Sequence, residues 1–389
     1  MTEHLMCHAC GSANTHTIYE LEAIPVQSCV LFEASGDAAG LATAPLTLRS
    51  CDDCGFIYNS HYDPSLLDYS SITEESQHFS GTFNAFAVGL VQEIADRYDL
   101  RGKMTVEVGC GKGDFLRELA KQTGTGALGI DPGFLDNRDT AHIEGVSFLR
   151  ADFDPVDVVE DPDFVICRHT LEHVQQVGNF IGDVAALCDR GRDVSTFFET
   201  PGIKRVLEEG AFWDIYYEHC SYFSMGSHAR LFRRHGLKVS DIRLDYDDQY
   251  IIQHTSPDGP AELQSEQDLE EIRSLAKQFP DRVRATREKW TSFLKSEARD
   301  GRRVVLWGGG SKAVAFLTTN NISDEVADVV DINPFKQGKY LPGTGHRVLA
   351  PGALCDAPPD TVVVMNSVYL DEIGAALRDL GLSPKVVGL

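Results

Sequence analysis

Two Cys-x-x-Cys pairs, Cys7/Cys10 and Cys51/Cys54, are separated by 40 residues near the amino terminus. Four thiolates carried on two tight turns fill the tetrahedral shell of Zn²⁺ and leave no open position, so a metal held this way is structural. Gly11 and Gly55 each follow the second cysteine of a pair, where a knuckle needs left-handed backbone angles and amides that can turn toward sulfur. The alternatives are disulfides or unconnected buried thiols. The chain opens without a signal-peptide pattern, and ten cysteines then fit a reducing, cytoplasmic compartment better than a disulfide framework. Cys29, Cys110, Cys167, Cys188, Cys220 and Cys355 sit among apolar neighbours and read as small core residues.

At 389 residues the chain exceeds what one core usually supports, and its 42% hydrophobic content suffices for two or three packed interiors. No apolar run reaches the length needed to span a membrane. A formal net charge of −24 excludes a general nucleic-acid surface, which requires a basic stripe. A phosphate-bearing ligand would therefore need a local basic pocket.

Beyond the cysteine module, the apolar spacing from Phe83 to Tyr98 predicts an amphipathic helix. Strands and helices then alternate: strands at 104–108, 127–130, 164–167 and 194–198, helices at 115–121 and 180–187. Such alternation implies a doubly wound, largely parallel α/β sheet. Residues 261–300 read as helical with a break at Pro280. Apolar runs at 304–307, 327–330, 362–365 and 386–387 predict a second, smaller nucleotide-type fold.

Gly109, Gly111 and Gly113 fall between the first of these strands and its helix, where the backbone must turn tightly and approach a ligand. Alone, the triplet serves a dinucleotide, a mononucleoside or plain chain reversal. Its surroundings narrow the choice. Glu107 lies within the strand, Asp131 ends the second strand, and Asp152 follows a third. An acid ending strand two can accept from ribose hydroxyls, and the next acid from an adenine amino group. The bland reading of Asp152 is a solvated loop acid. This serial pattern resembles the S-adenosylmethionine sites of class I methyltransferases. The resemblance implies a Rossmann-like methyltransferase domain with Glu107, Gly109, Gly111, Gly113, Asp131 and Asp152 around the cofactor.

Arg168-His-Thr-Leu-Glu-His-Val174 follows the fourth strand, the edge where that fold presents the methyl group to its acceptor. His173 is a candidate general base there, since imidazole titrates near neutrality; it could equally be a helix-start residue packed under the cofactor. His169 is expected to line the cofactor pocket. The densest polar-aromatic cluster is Phe212-Trp-Asp-Ile-Tyr-Tyr-Glu-His-Cys-Ser-Tyr-Phe-Ser224. It lacks amphipathic periodicity. Its phenols can donate to a developing oxyanion, its histidine can move a proton and its glutamate can orient that histidine. A buried hydrogen-bonded corner is the other reading.

Over nearly its full length the chain resembles the zinc-containing sugar C-methyltransferases that act on nucleotide-linked 4-keto-deoxy sugars. The matching stretches are the two cysteine pairs, Glu107 to Gly113, Glu172-His-Val174, Tyr216-Tyr-Glu-His-Cys-Ser-Tyr-Phe223, Trp307-Gly-Gly-Gly-Ser-Lys312 and Asp331 to Gly338 with Pro342-Gly-Thr344. The resemblance implies a zinc-binding module (1–65), an S-adenosylmethionine-dependent methyltransferase domain (66–255), a helical connector (256–300) and a C-terminal Rossmann-like domain (301–389). It implies His219 as the base that removes the proton beside the ketone, with Tyr216, Glu218 and His173 holding the keto-enolate. It also implies structural Zn²⁺ on Cys7, Cys10, Cys51 and Cys54. The chain departs from the family pattern at 76–84 and 246–254, both segments concerned with acceptor recognition.

Two other enzyme classes fit parts of the pattern. An O- or N-methyltransferase could use the same histidines on a hydroxyl or amine. An NAD-dependent oxidoreductase would use the Gly308-Gly-Gly310 loop with Asp331 as its ribose acid. A non-enzymatic scaffold has no need of the glycine loop, the acids and the Tyr-Tyr-Glu-His cluster together. The expected partner is a small-molecule keto sugar, with neither nucleic acid nor membrane. Without coiled-coil heptads, a monomer or weak dimer is expected.

Overall fold

A computed structural model describes residues 6–67, 73–74, 76–135, 142–322 and 324–389. Strands β1 (Thr15–Pro25) and β2 (Thr43–Cys51) pair antiparallel, and β3 (Ile57–Asn59) adds to β2. The short helix α1 (Ser35–Ala39) lies in the β1–β2 connection. The knuckles sit at the open end of this sheet, with Gly11 and Gly55 at φ +74° and +75° as the spacing demanded. The outer edge of β3 is covered by Ser221–Tyr222, two residues from the far side of the chain. That pairing hides an otherwise free edge and welds the polar-aromatic segment to the first module.

The helix expected at 83–98 is α2 (Gly81–Arg97), started by Ser80, whose hydroxyl accepts from the Phe83 amide. The central sheet follows, with β4 (Met104–Val108), α3 (Asp114–Thr123), β5 (Gly126–Ile130), β6 (Val146–Leu149) and β7 (Phe164–Arg168). It continues through α4 (Val177–Cys188), β8 (Ser195–Pro201), α5 (Ile203–Glu209), β9 (the Ser221–Tyr222 strand) and α6 (Met225–Arg234). Strands β10 (Val239–Asp245) and β11 (Tyr250–Thr255) complete it. The sheet order is β10-β11-β8-β7-β4-β5-β6. The five strands β4 to β8 are parallel, in the doubly wound order, and β11 lies antiparallel to both β8 and β10. Reversal between β7 and β5, on either side of β4, opens the crevice at their carboxyl ends where ligands bind in such sheets.

The break expected at Pro280 is absent. Helix α7 (Leu269–Arg299) runs 31 residues straight through it. A proline inside a helix costs about 3 kcal/mol by removing a donor and crowding the preceding turn. Here Ile272, Leu275, Ala276 and Phe279 before it, and Val283, Trp290 and Leu294 after it, bury in one shared core. Tertiary packing on both sides outweighs the local preference.

A third sheet follows, built from β12 (Val304–Trp307), β13 (Asp328–Val330), β14 (Val348–Leu349), β15 (Thr361–Val364) and β16 (Lys385–Gly388) with α8 (Ser311–Asn320) and α9 (Leu370–Asp379). All its strands are parallel, in the order β14-β13-β12-β15-β16. The three layers share apolar contacts. Phe212 stacks on Phe316 of α8 at 5.8 Å between ring centres, and Trp290 of α7 meets the same ring edge-on at 5.5 Å. Among the described residues no helix is long and apolar enough to cross a membrane.

Gly210 ends α5 at φ +64°, and a Cβ added there would meet the Arg282 backbone of α7 at 2.6 Å. Both the left-handed angle and the close approach exclude a side chain. Gly210→Ala is expected to destabilise the fold by about 1–3 kcal/mol, read as a lower denaturant midpoint.

Candidate active site

The glycine loop leaves β4 with Gly109, Gly111 and Gly113 at φ +73°, +55° and +78°. Each has a different reason. A Cβ on Gly109 would meet Thr170 Oγ1 at 1.9 Å, and one on Gly113 would meet the Phe148 ring at 2.4 Å. A Cβ on Gly111 would meet nothing within 4 Å. The loop is thus packed from below at two positions and open above the third, as a cradle for a ligand must be. Asp131, just past β5, accepts from the Gly111 amide (2.9 Å) and the Gly133 amide (2.7 Å). Asp152 is an exposed acid on the loop after β6, at the same edge of the sheet.

Glu107 is buried in β4, and its Oε2 has no hydrogen-bond partner among the described residues. Burial pushes its carboxyl up to about 8, against the pull of Arg168 and with the push of Asp131. Arg168, at the end of β7, lies 3.9 Å over the Phe115 ring and pairs through Nε with Glu199, while its buried Nη2 has no hydrogen-bond partner among the described residues. Beside it His169 takes φ +49° and bonds Glu199 Oε1 through Nε2 at 2.9 Å. Burial alone would lower the His169 pKa, but Glu199 and Glu172 outweigh it and raise it to about 9. For Glu199 burial pushes up, yet Arg168 and His169 hold its carboxyl down to about 2.

His169 faces Tyr250 at 4.7 Å, and the turn Leu171–His173 then carries the chain toward the polar-aromatic segment. Two bonds staple these pieces together: the Cys220 amide to Glu172 O at 2.9 Å and the Ser221 hydroxyl to Val174 O at 2.6 Å. His173 and His219 consequently meet ring edge to face at 4.7 Å. Tyr216 Oη lies 3.2 Å from His219 Nε2. Burial, then the neighbouring His173 and His169, push the His219 pKa well below the usual imidazole range. Burial drives Tyr216 well above the usual phenol range. At neutral pH the pair is a neutral imidazole beside an un-ionised phenol. The former accepts a proton and the latter donates a hydrogen bond.

Glu218 turns away from this pair. Its carboxylate accepts from the Ser28 amide at 2.8 Å and from the Ser28 hydroxyl, and Ser28 in turn lies 2.7 Å from the Ser311 hydroxyl. Ser28 comes from the first module and Ser311 from the start of α8. Lys312 reaches across to Asp214 Oδ1 at 2.9 Å and Gln249 Oε1 at 3.3 Å. Tyr217, between the site residues, points elsewhere and bonds the Asp63 amide and His61 O. Ser28, Glu199, Asp214 and Gln249 were not singled out from sequence. Asp214 lies within the polar-aromatic cluster and Gln249 within the divergent 246–254 segment, whereas Ser28 lies in no motif and Glu199 offered only its end-of-strand position beside a proline-bounded turn.

The four cysteines lie at the other end of the first module. Their sulfurs are all within 4.8 Å of one another, and Cys7–Cys54 and Cys10–Cys51 are each 3.6 Å apart. Thiolates at about 2.3 Å on tetrahedral zinc are about 3.8 Å from one another. The donor set fits Zn²⁺ closely. The cradle fits S-adenosylmethionine by a separate observation: the open face over Gly111 adjoins the orphaned carboxyl of Glu107, which a cationic ligand would stabilise.

Residues 81–242 match the family model described as "Methyltransferase domain", and residues 259–382 match "C-methyltransferase C-terminal domain". C-methyltransferase NovU of Streptomyces niveus is 27% identical over 393 residues, covering 94% of this chain and 90% of that protein. Among solved structures, magnesium protoporphyrin IX methyltransferase of Synechocystis with bound SAH is 12% identical with a TM-score of 0.38, over 48% of this chain and 90% of that one. A chain from the Haloferax volcanii complex of the Trm112 methyltransferase activator with a putative methyltransferase is 18% identical with a TM-score of 0.35, over 48% and 99%.

Replacing Cys54 by serine is expected to remove one zinc per chain and lower the melting temperature, checked by metal analysis and calorimetry on the same sample. For His169 the raised pKa sets the sign of a pH effect. Its stabilisation is fully present below about pH 6.5 and is lost as pH rises through about 9. The melting-temperature gap between wild type and His169→Gln should therefore narrow across that window; a gap independent of pH would remove the ion pair from the account.

Proposed function

Starting from a chain that is an S-adenosylmethionine-dependent methyltransferase with a C-methyltransferase C-terminal domain, we propose that it methylates the carbon beside the ketone of a nucleotide-linked keto-deoxy sugar. We assign residues 1–65 to the zinc module, 66–255 to the methyltransferase domain, 256–300 to the connector and 301–389 to the C-terminal Rossmann-like domain. The observation that carries the reading is the His219–Tyr216 pair, a neutral base next to a phenol donor. Methylation of a hydroxyl or amine needs a base alone. Carbon methylation beside a ketone needs a base for the C–H proton and a donor for the oxygen that becomes negative.

In this assignment His219 takes the proton from the carbon next to the ketone, and Tyr216 donates to the resulting enolate oxygen. The enolate carbon is the nucleophile. His173 holds the His219 ring from its edge. Glu218 is a positioning residue: its contacts to Ser28 fix the loop that carries both Tyr216 and His219. Glu107, Asp131, Asp152, the three glycines and His169 surround the cofactor. S-adenosylmethionine supplies the electrophilic methyl group when bound there.

The test follows product mass with methyl-deuterated S-adenosylmethionine and a panel of nucleotide-linked keto sugars, with parallel measurement of solvent deuterium entering the acceptor carbon. Wild type is expected to do both. His219→Ala is expected to lose both by about 10²–10⁴-fold while still binding the cofactor. Methyl transfer with no solvent deuterium entering the acceptor carbon, and with the labelled methyl located on oxygen or nitrogen by NMR of the product, would instead assign an O- or N-methyltransferase.

A further inference from the structure

Glu172, His173 and His219 form a second ligand set, with their donor atoms all within 4.8 Å of one another. We propose that these three side chains bind a divalent transition ion, Zn²⁺ or Co²⁺ in chemistry, which blocks the proton-accepting nitrogen of the site. The inference deepens the role proposed above for His219 and rests on it for its effect on turnover, though not for binding itself.

Several observations converge. Two imidazoles and one carboxylate are the ligands that borderline ions prefer, whereas Mg²⁺ and Ca²⁺ favour oxygen alone. Zinc with nitrogen and oxygen ligands at about 2.0–2.1 Å places them about 3.4 Å apart, a short contraction from a set whose donors already lie within 4.8 Å of one another. The backbone is already fixed by the Cys220–Glu172 and Ser221–Val174 bonds. Glu172 is 2% exposed and its Oε2 has no hydrogen-bond partner among the described residues. Its other oxygen lies 3.6 Å from His169 Nδ1. A buried carboxylate oxygen left without a donor is costly, and a coordinated cation relieves that cost.

A third cluster of similar composition shows what a filled set looks like. Glu93 and His254, near Asp241, are already bound: Glu93 Oε1 to His254 Nε2 at 3.1 Å, and both acids to the Arg243 guanidinium. There the positive charge is supplied by arginine. Around Glu172 no arginine or lysine pairs with the carboxylate among the described ion pairs. Tyr216, 3.2 Å from His219, is placed to offer a further oxygen, with solvent completing the shell, so that the ion and the acceptor compete for the same space.

The test uses the full-length protein with zinc on its four cysteines, titrated with CoCl₂ alone. A saturable, weak visible absorption of the nitrogen/oxygen type, at one equivalent, is expected without the intense bands of cobalt–thiolate. Glu172→Gln and His173→Gln should each weaken it by at least about tenfold, with retained S-adenosylmethionine binding showing that the variants are folded. No saturable band in wild type, or equal affinity in all three proteins, overturns the site. In turnover, ZnCl₂ should raise the KM for the acceptor and leave that for S-adenosylmethionine unchanged. Cobalt binding in a protein that methylates no ketone would sink the proposed reaction and leave the metal site standing. Methylation in a protein that binds no second metal would do the reverse.

Discussion

The site depends on one buried carboxylate and where its partners come from. Glu218 is 7% exposed, and the donors to its carboxylate are the amide and hydroxyl of Ser28, a residue 190 positions earlier. An ionised carboxyl left in that position without donors would cost several kcal/mol. The Ser28 contacts therefore tie the loop bearing Tyr216 and His219 to the first module. Ser311 extends the same chain of bonds into the third module. The aromatic contacts of Phe212, Trp213, Trp290 and Phe316 lie directly behind and provide the apolar burial that brings the modules together. The four-cysteine module is tied to the loop of Tyr216 and His219 because it also carries Ser28.

Charge is organised along the same edge of the central sheet. Arg168, His169 and Glu199 neutralise one another under the loop, and Glu107 remains with an orphaned oxygen and a carboxyl pushed up to about 8. Burial without a partner is what raises it. A cationic ligand beside Glu107 reverses that balance, favouring the carboxylate and gaining its attraction. The buried Glu107 thus favours a positively charged ligand, and the net charge of −24 adds a long-range pull of the same sign.

The sequence disclosed what local backbone chemistry enforces. Glycines at positive φ, paired cysteines and the alternation of buried strands all leave periodic or spaced marks, and these gave the central sheet and both ligand cradles. The Asp331 amide contacts repeat those of Asp131: Asp131 takes Gly111 N–H at 2.9 Å and Asp331 takes Gly309 N–H at 2.7 Å. From sequence, an acid in that place looks like a ribose acceptor; in the fold each already serves as a clasp on its own loop. What remained hidden was set by contacts distant in sequence. The helix through Pro280 is held by a core drawn from three modules, the Ser221–Tyr222 strand exists only because β3 offers an edge, and Ser28 has no motif at all. Glu218 stood out within the polar-aromatic cluster, but its direction, away from Tyr216 and His219 and toward Ser28, did not.

The depressed pKa of His219 bears on which reaction the site suits. Lowering the pKa guarantees a neutral imidazole at neutral pH but also makes it a weaker base, so a carbon acid must be made more acidic to match it. Tyr216 supplies the means, because a phenol held un-ionised by burial donates strongly to an oxygen that gains charge. Its hydroxyl now rests on His219 Nε2 at 3.2 Å. A ketone entering between them would exchange that contact for two better ones, carbonyl oxygen to phenol and carbon-bound proton to imidazole. A hydroxyl acceptor gains nothing from the phenol, since its oxygen loses charge as it takes the methyl. In the proposed reaction the pair therefore suits an acceptor whose negative charge develops on a carbonyl oxygen held by the phenol while a different atom, the neighbouring carbon, takes the methyl.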